Sequence, residues 1–202
     1  IVQYRHCKSE IELLSKFVEY WANNCPDAIT GWNIRLFDVP YLINRINRIG
    51  ADGSAKRLSP WNDIKERNIV IKGRQMTAYE ITGVQQLDYY DLFQKFGYSY
   101  GAQESYKLDH IAYVVLGERK LSYEDYGNLY TLYKEDHQKF IDYNIRDVEI
   151  IERLEEKMGL ITLAMTMAYR GGVNYADTFG TTAIWDSIIY RELAKDNIIV
   201  PP

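Results

Sequence analysis

The stretch from residue 28 to residue 43 restricts the fold most, because it predicts a strand, a turn and a helix in direct succession. Residues 28–32 (Ala-Ile-Thr-Gly-Trp) are strand-like. Pro40 lies at the first turn of the predicted helix, where the N–H that proline lacks would have no helical partner, and Asp38 lies at its cap. A strand that leads directly into a helix is typical of mixed α/β folds, and catalytic groups are common at such junctions.

Two segments show the three- and four-residue spacing of amphipathic helices. The first follows Ser9 and Glu12, a capping box in which each side chain bonds to the backbone N–H of the other. Its predicted apolar stripe consists of Ile11, Leu14, Phe17, Val18 and Trp21. The second segment is the longest, from residue 135 to about residue 158, and its predicted stripe consists of Ile141, Ile145, Val148, Ile151 and Leu154.

The remaining elements complete an α/β pattern in which helices dominate the second half. Further strands are expected at 1–4, 68–71, 76–81 and 85–90, and further helices near 105–116 and 182–195. The strands at 68–71 and 76–81 flank a basic, glycine-containing tip and therefore predict a β-hairpin.

Charge is distributed unevenly along a chain whose formal net charge is −4. From Arg35 to Arg74, nine basic side chains stand against four acidic ones, whereas from Glu118 to Glu156 eleven acidic side chains stand against six basic ones. This distribution excludes a uniformly basic nucleic-acid binder. One region can attract phosphate and the other divalent cations, or both are simply solvated surfaces.

Cysteine content and hydropathy indicate in which cellular compartment the protein is expected. Two cysteines in 202 residues exclude a disulfide scaffold and favour free thiols in a reducing cytoplasm. No apolar run reaches the roughly 18 residues that a membrane span requires, so we expect no membrane partner.

The first candidate site surrounds Asp38. Asn33, Phe37 and Asp38 form the pattern Asn-x-x-x-Phe-Asp, which this composition would produce by chance far less than once. The pattern favours a functional site, and the alternative is that Asp38 only caps the following helix.

The second candidate site is formed by Tyr143 and Asp147. Because residues four apart share one face of a helix, the hydroxyl and the carboxylate can converge on one ligand. The spacing alone is weak evidence, since a chain with eighteen tyrosines produces about one such pair by chance. The alternative is a polar pair that faces solvent.

Together these residue types suit the hydrolysis of a phosphodiester. Carboxylates hold Mg²⁺ or Mn²⁺, which activates a water molecule and neutralises the leaving oxygen. A tyrosine hydroxyl can orient that water. An asparagine can hydrogen-bond to a frayed strand end, and a phenylalanine can stack on its base.

At these positions the sequence resembles the proofreading 3′→5′ exonuclease domain of family B DNA polymerases, most nearly the phage replicative type. Residues 30–41 resemble the Exo II motif of that domain, and residues 143–147 resemble its Exo III motif. Residues 54–60, 87–92 and 185–189 also resemble that group, so the likeness extends over nearly the whole chain.

The resemblance implies a ribonuclease-H-like fold that hydrolyses the 3′-terminal phosphodiester of DNA with two metal ions, Mg²⁺ or Mn²⁺. By this likeness Asp38 and Asp147 are metal ligands and Tyr143 positions the water. Asn33 and Phe37 contact the single-stranded 3′ end of a primer. The resemblance also implies the remaining polymerase segments and a sliding clamp as partners, and the cytoplasm of a bacterial host as the location of a phage enzyme.

The sequence departs from the family at its first motif, Asp-x-Glu, which supplies the other two acidic ligands. No Asp-x-Glu precedes Asp38, and the acidic pair Glu10 and Glu12 belongs to the capping box. We therefore expect residues 1–4 to be the third strand of the fold, two strands and two acids to be missing, and the isolated chain to be nearly inactive.

The expected domains are a partial exonuclease domain at 1–170 and a helical connection toward a polymerase domain at 171–202. Two alternatives remain open. One is a non-catalytic module that binds DNA or serves as a scaffold. The other is one half of a split polymerase that a partner chain completes.

Overall fold

The computed structural model of the chain describes residues 3–50, 55–71 and 73–199, which divide between two units, Ile1–Asp88 and Tyr89–Pro202. The first unit contains α1 (Glu10–Asn23), β1 (Ala28–Gly31), α2 (Asp38–Ile49), β2 (Ile64–Ile71), β3 (Arg74–Ile81) and β4 (Gln85–Asp88). The second contains α3 (Tyr89–Phe96), α4 (Leu108–Leu116), α5 (Leu129–Glu135), α6 (His137–Met158), α7 (Leu160–Gly171) and α8 (Thr182–Lys195). The mixed α/β class is confirmed, and in the described part of the second unit all these elements are helices.

The first helix begins where its capping residues predict. The Ser9 hydroxyl accepts a hydrogen bond from the Glu12 backbone N–H at 3.2 Å. The prediction of the reciprocal bond is wrong, because the Glu12 carboxylate accepts from the Lys8 backbone N–H at 2.8 Å rather than from the Ser9 backbone N–H. The chain therefore enters α1 through a turn one residue wider than the capping box provides.

The core of the first unit lies between α1 and α2. Its buried side chains are Leu14 and Val18 of α1, Val39, Ile43 and Ile46 of α2, and Ala55, Leu58, Ile81 and Val84. Phe17 and Trp21 pack against this core, and the Trp21 indole N–H donates to the Leu58 carbonyl at 2.8 Å. Ile11, placed in the apolar stripe by the sequence, is instead 55% exposed. It lies in the first turn of α1, at the margin of the apolar face.

The strands of the first unit form two pairs. β1 and β4 are parallel, with Ala28 opposite Gln85 and Gly31 opposite Asp88. β2 and β3 are antiparallel and form the expected hairpin, longer than the sequence indicates. Lys72 of its basic tip lies outside the described residues.

Two strand predictions need correction. The strand predicted at 1–4 is not present at Gln3 and Tyr4, which have no regular structure, and Ile1 and Val2 lie outside the described residues. Tyr89 and Tyr90, predicted to continue the strand that begins at Gln85, instead open α3.

The second unit is built around α6, the long helix that the sequence predicts. The Asp136 carboxylate caps its start by accepting from the Lys139 backbone N–H at 2.9 Å, and Gly159 ends it in the left-handed conformation with φ of 62°. Ile151 and Leu154 of the predicted stripe are buried, but Val148 is 69% exposed and Ile150 takes the inward position instead. The buried face of α6 is therefore rotated relative to the predicted stripe.

No helix in the described part of the chain is both long and apolar enough to cross a lipid bilayer.

Candidate active site

A tight turn between β1 and α2 carries three of the residues singled out by the sequence. Asn33 adopts a left-handed backbone conformation with φ of 66°, which asparagine tolerates better than most residues other than glycine. Its carbonyl accepts from the Phe37 backbone N–H at 3.1 Å, and the Ile34 carbonyl accepts from the Val39 backbone N–H at 2.9 Å. These bonds fold the chain back so that Asn33, Phe37 and Asp38 share one short segment.

Asp38 is the first residue of α2 rather than its N-cap, which is Phe37. The cap prediction is therefore displaced by one residue, but the carboxylate still lies in the first turn, where the helix dipole favours a negative charge. Partial burial raises the pKa of the Asp38 carboxyl, and a hydrogen bond from its own backbone N–H acts in the opposite direction. Phe37 is 67% exposed, so its ring is available to a ligand.

In the second unit, Tyr143 and Asp147 lie on α6 and both contact Lys120. The Lys120 ammonium is 2.7 Å from Asp147 Oδ2 and 5.1 Å from the centre of the Tyr143 ring. Burial lowers the pKa of Lys120, but hydrogen bonds to Asp147 and Tyr143 outweigh burial and leave the pKa raised. Lys120 is therefore protonated at neutral pH and contacts both Tyr143 and Asp147.

Tyr143 is buried, at 9% exposure, which excludes the alternative of a polar pair facing solvent. The Tyr123 ring packs edge-on against the Tyr143 ring, with 5.5 Å between centroids. The Lys120 ammonium lies over the Tyr143 ring, and the Tyr143 hydroxyl has an O–H to donate. Tyr143 can therefore present one hydrogen-bond donor in a fixed direction beside Asp147.

The second oxygen of Asp147 is the clearest sign of a ligand site. Asp147 Oδ1 is buried and has no hydrogen-bond partner among the described residues, although a buried carboxylate oxygen is normally satisfied. A hard, anionic oxygen of this kind suits Mg²⁺ or Mn²⁺, so the residue fits the role of a metal ligand. In the described ranges, no group of three or more His, Cys, Asp or Glu side chains has a spacing that would hold a metal ion.

Arg146, the neighbour of Asp147 in the motif, is engaged elsewhere. Its guanidinium donates to the Glu118 carboxylate, which also pairs with Arg153. The two arginines and the glutamate hold the segment before Lys120 against α6. The structure thus brings Lys120, Tyr143 and Asp147 together in the second unit, and Asn33, Phe37 and Asp38 together in the first.

Two residues that shape these sites have a role that the sequence does not predict. Lys120 has no local signal, because an isolated lysine in a polar loop has no distinguishing pattern. Asp88 accepts from the backbone N–H groups of Asn33 and Arg35 at 2.8 and 2.9 Å. In the sequence Asp88 stands out only as part of residues 87–92, which resemble the polymerase group, and the parallel pairing of β1 with β4 reveals its role.

Comparisons with known proteins agree with the motifs. The sequence model described as DNA polymerase family B, exonuclease domain, matches residues 2–111, which include Asn33, Phe37 and Asp38. The chain is 36% identical to the DNA-directed DNA polymerase of Escherichia phage RB69 over 200 residues, and 32% identical to that of Enterobacteria phage T4 over 200 residues. These matches cover 98% and 99% of the chain but 22% of each polymerase. The catalytic subunit of DNA polymerase delta from Plasmodium falciparum is 29% identical over 95% of the chain and 18% of that subunit.

Proposed function

This chain belongs to the exonuclease domains of family B DNA polymerases, and we propose that it contributes the proofreading site of such a polymerase. We also propose that its fold is of the ribonuclease-H-like type. The reaction is hydrolysis of the 3′-terminal phosphodiester of a single-stranded primer end. The observation that carries the proposal is the buried Asp147 Oδ1, which has no hydrogen-bond partner in the described part of the chain and lies on the same helix face as Tyr143.

Each side chain has a role that its surroundings support. Asp38 and Asp147 would hold Mg²⁺ or Mn²⁺, which supplies an activated water and stabilises the leaving oxygen when bound. Tyr143 orients the attacking water through the O–H that Lys120 leaves available. Phe37, exposed beside Asp38, stacks on the terminal base, and Asn33 hydrogen-bonds to the same nucleotide.

Lys120 supports the site through its positive charge. Its ammonium pairs with Asp147 and lies over the Tyr143 ring, so both side chains are restrained before substrate arrives. We propose that it is a positioning residue for the water and the metal ligand.

The proposal also extends to what lies outside the 202 residues. The chain spans 22% of the two phage polymerases it matches, and the two remaining acidic ligands would come from an Asp-x-Glu strand of the same polymerase. Residues 1–170 would form the exonuclease part and residues 171–202 the connection toward the polymerase domain. The other polymerase segments and a sliding clamp would be the partners, in the cytoplasm of a bacterial host if the parent is a phage enzyme.

The test compares the chain with a longer polypeptide that contains the Asp-x-Glu strand. On a 5′-labelled single-stranded oligonucleotide with Mg²⁺ or Mn²⁺, we expect stepwise 3′ shortening by the longer polypeptide and almost none by the isolated chain. Asp38→Ala and Asp147→Ala should each abolish the shortening. Equal shortening by both variants and the unaltered protein would refute the assignment of these aspartates.

A non-catalytic DNA-binding or scaffold role for the isolated chain is the second candidate. It is favoured by the Lys120 ammonium, which already occupies Asp147 Oδ2. Calorimetric titration of Mn²⁺ distinguishes the two functions. Weak binding that is lost in Asp38→Ala and Asp147→Ala supports a metal site, whereas binding of DNA with no binding of Mn²⁺ supports the second candidate.

A further inference from the structure

Asp88 is a buried carboxylate beneath the turn that carries Asn33, Phe37 and Asp38. It is 2% exposed. One carboxylate oxygen accepts from the Asn33 backbone N–H at 2.8 Å, and the other accepts from the Arg35 backbone N–H at 2.9 Å. Hydrogen bonds to an ionised acceptor are roughly twice as strong as neutral ones, so this pair is a strong anchor for a turn.

The parallel sheet places the Asp88 carboxylate at this point. Gly31 at the end of β1 lies opposite Asp88 at the end of β4. The Thr30 hydroxyl donates to the Leu87 carbonyl at 2.7 Å, which fixes the same register through a side chain. Both strands therefore end together, and the turn leaves β1 directly above the carboxylate.

Asp88 bonds to a residue whose backbone conformation shapes the turn. Asn33 has φ of 66°, a left-handed conformation that few residues other than glycine, asparagine and aspartate adopt. The same residue accepts from the Phe37 backbone N–H and so determines where α2 begins. A series of hydrogen bonds thus leads from Asp88 through Asn33 to Phe37, the residue that precedes α2.

We propose that Asp88 is a positioning residue for recognition of the DNA end. This inference rests on the proposed function, because it assumes that Asn33 and Phe37 contact DNA. Asp88 itself touches neither DNA nor metal. It acts by holding the backbone of the turn so that the Phe37 ring remains exposed beside Asp38 before substrate binds.

The first test requires no DNA and uses the native chain. Although Asn33 and Arg35 lie outside every helix and strand, their amide protons should exchange with solvent much more slowly than those of an open turn. In Asp88→Asn the side chain presents an NH₂ donor to one of the two N–H groups, so we expect amide exchange at these two residues to accelerate about tenfold. Asp63→Asn, which alters a carboxylate elsewhere in the same unit, should leave amide exchange at Asn33 and Arg35 unchanged.

Unprotected amides at Asn33 and Arg35 in the native chain would overturn the proposal, even if Asp88→Asn fails to fold. Exchange rates that are the same in Asp88→Asn and in the native chain would also overturn it. Because this measurement involves no DNA, it tests whether Asp88 holds the turn independently of the proposed function, whereas a chain that neither binds nor cleaves DNA would refute the proposed function without changing the exchange result.

A double-mutant cycle separates positioning from general destabilisation. Measured with an oligo-dT strand below the melting range of every variant, Asp88→Asn should weaken DNA affinity several-fold, and Phe37→Ala should do the same. The loss in the double variant should be smaller than the sum of the two single losses, because Asp88 acts through the turn that carries Phe37. Additive losses would show that Asp88 does not act through Phe37.

Discussion

Lys120 and Asp147 form an ion pair that is largely shielded from water. Their side chains are 23% and 29% exposed, whereas those of Lys16 and Glu12, joined at the same 2.7 Å distance, are 44% and 36% exposed. Attraction between charges strengthens as water is excluded, but so does the cost of leaving one of them unpaired. Loss of the lysine is therefore expected to reduce stability more at the Lys120–Asp147 pair than at the Lys16–Glu12 pair, although the two distances are equal.

Replacing Lys120 should reveal this difference. Lys120→Met removes the partner of Asp147 and should lower the free energy of unfolding by roughly 1–3 kcal/mol, because a partly buried carboxylate loses its donor. Lys16→Met, at an exposed helix pair, should lower the free energy of unfolding much less. Urea unfolding at neutral pH measures both. Equal losses would contradict the distinction.

Glycine is required at position 31 because the side chain of Ile34, in the following turn, lies close to its Cα atom. A Cβ atom added at this residue would lie 2.5 Å from Ile34 Cγ2, inside the contact distance of two carbon atoms. We expect Gly31→Ala to destabilise the protein by roughly 1–3 kcal/mol, since the β-branched Ile34 has few rotamers in which to move away.

Gly180→Ala is the matched control for this substitution. Its added Cβ would meet only the Asp177 carbonyl oxygen at 3.7 Å, an ordinary contact. Thermal unfolding should leave the midpoint of Gly180→Ala close to that of the native chain while Gly31→Ala melts earlier. A reversed order would refute the steric argument.

Among the elements, α7 depends on a contact that its own sequence does not contain. The Glu155 carboxylate, from the last turns of α6, accepts from the backbone N–H groups of Ile161 and Thr162 at 2.9 and 3.1 Å. It also accepts from the buried Tyr89 hydroxyl at 3.2 Å. One glutamate therefore caps α7 and joins it to α3.

The hydrogen bond of Tyr89 to Glu155 makes the stability of the protein depend on pH in the alkaline range. Burial, then the nearby Glu155 charge and hydrogen bond, raise the pKa of Tyr89 far above its ordinary value. An unfolded tyrosine ionises near pH 10, so above that pH the unfolded state loses a proton that the folded state retains, and stability falls as pH rises. In Tyr89→Phe this decline should be shallower, although stability at neutral pH should be lower by about 1 kcal/mol.

Unfolding by urea at a series of pH values from neutral to strongly alkaline measures the slope. Tyr98→Phe is the control, because it removes a tyrosine hydroxyl from a side chain that is 82% exposed. An unchanged alkaline slope in Tyr89→Phe would contradict the assignment.

The elements also show what sequence can predict. Helices α1 and α8 and the β2–β3 hairpin carry local signals of capping, apolar spacing or a glycine tip, and the predictions for them are confirmed. Helix α7 was not predicted, because its start is capped by Glu155 from another helix. Similarly, Asn33, Phe37 and Asp38 form a continuous motif, but Asp88 and Lys120 join the sites only through contacts between distant segments. The site roles of the motif residues remain predictions.

At the scale of the whole molecule, the β1–β4 sheet has open edges. In the described residues it contains two strands, and a two-stranded parallel sheet leaves backbone N–H and C=O groups unpaired on its outer sides. Such edges are templates for pairing with another strand. The chain is therefore expected to associate with itself or to be only marginally stable.

Sedimentation velocity over a wide range of protein concentration tests this expectation. We expect the average sedimentation coefficient to rise with concentration, and Gln85→Lys, which places a charge on β4, to reduce the rise. A monomer at every concentration, with a sharp melting transition that does not depend on concentration, would contradict it.

The pairing of β1 with β4 also sets an order of events during folding. Thr30 and Leu87 are bonded across 57 residues of sequence, and Asn33 and Asp88 across 55, whereas each helix closes through contacts within a few residues. Contacts so distant in sequence form late, after the entropy of closing a long loop has been overcome. On a ribosome, the segment that carries Asn33, Phe37 and Asp38 would leave the exit tunnel well before Asp88 does. A nascent chain that stops short of residue 88 would thus contain these three residues without the carboxylate that arranges them.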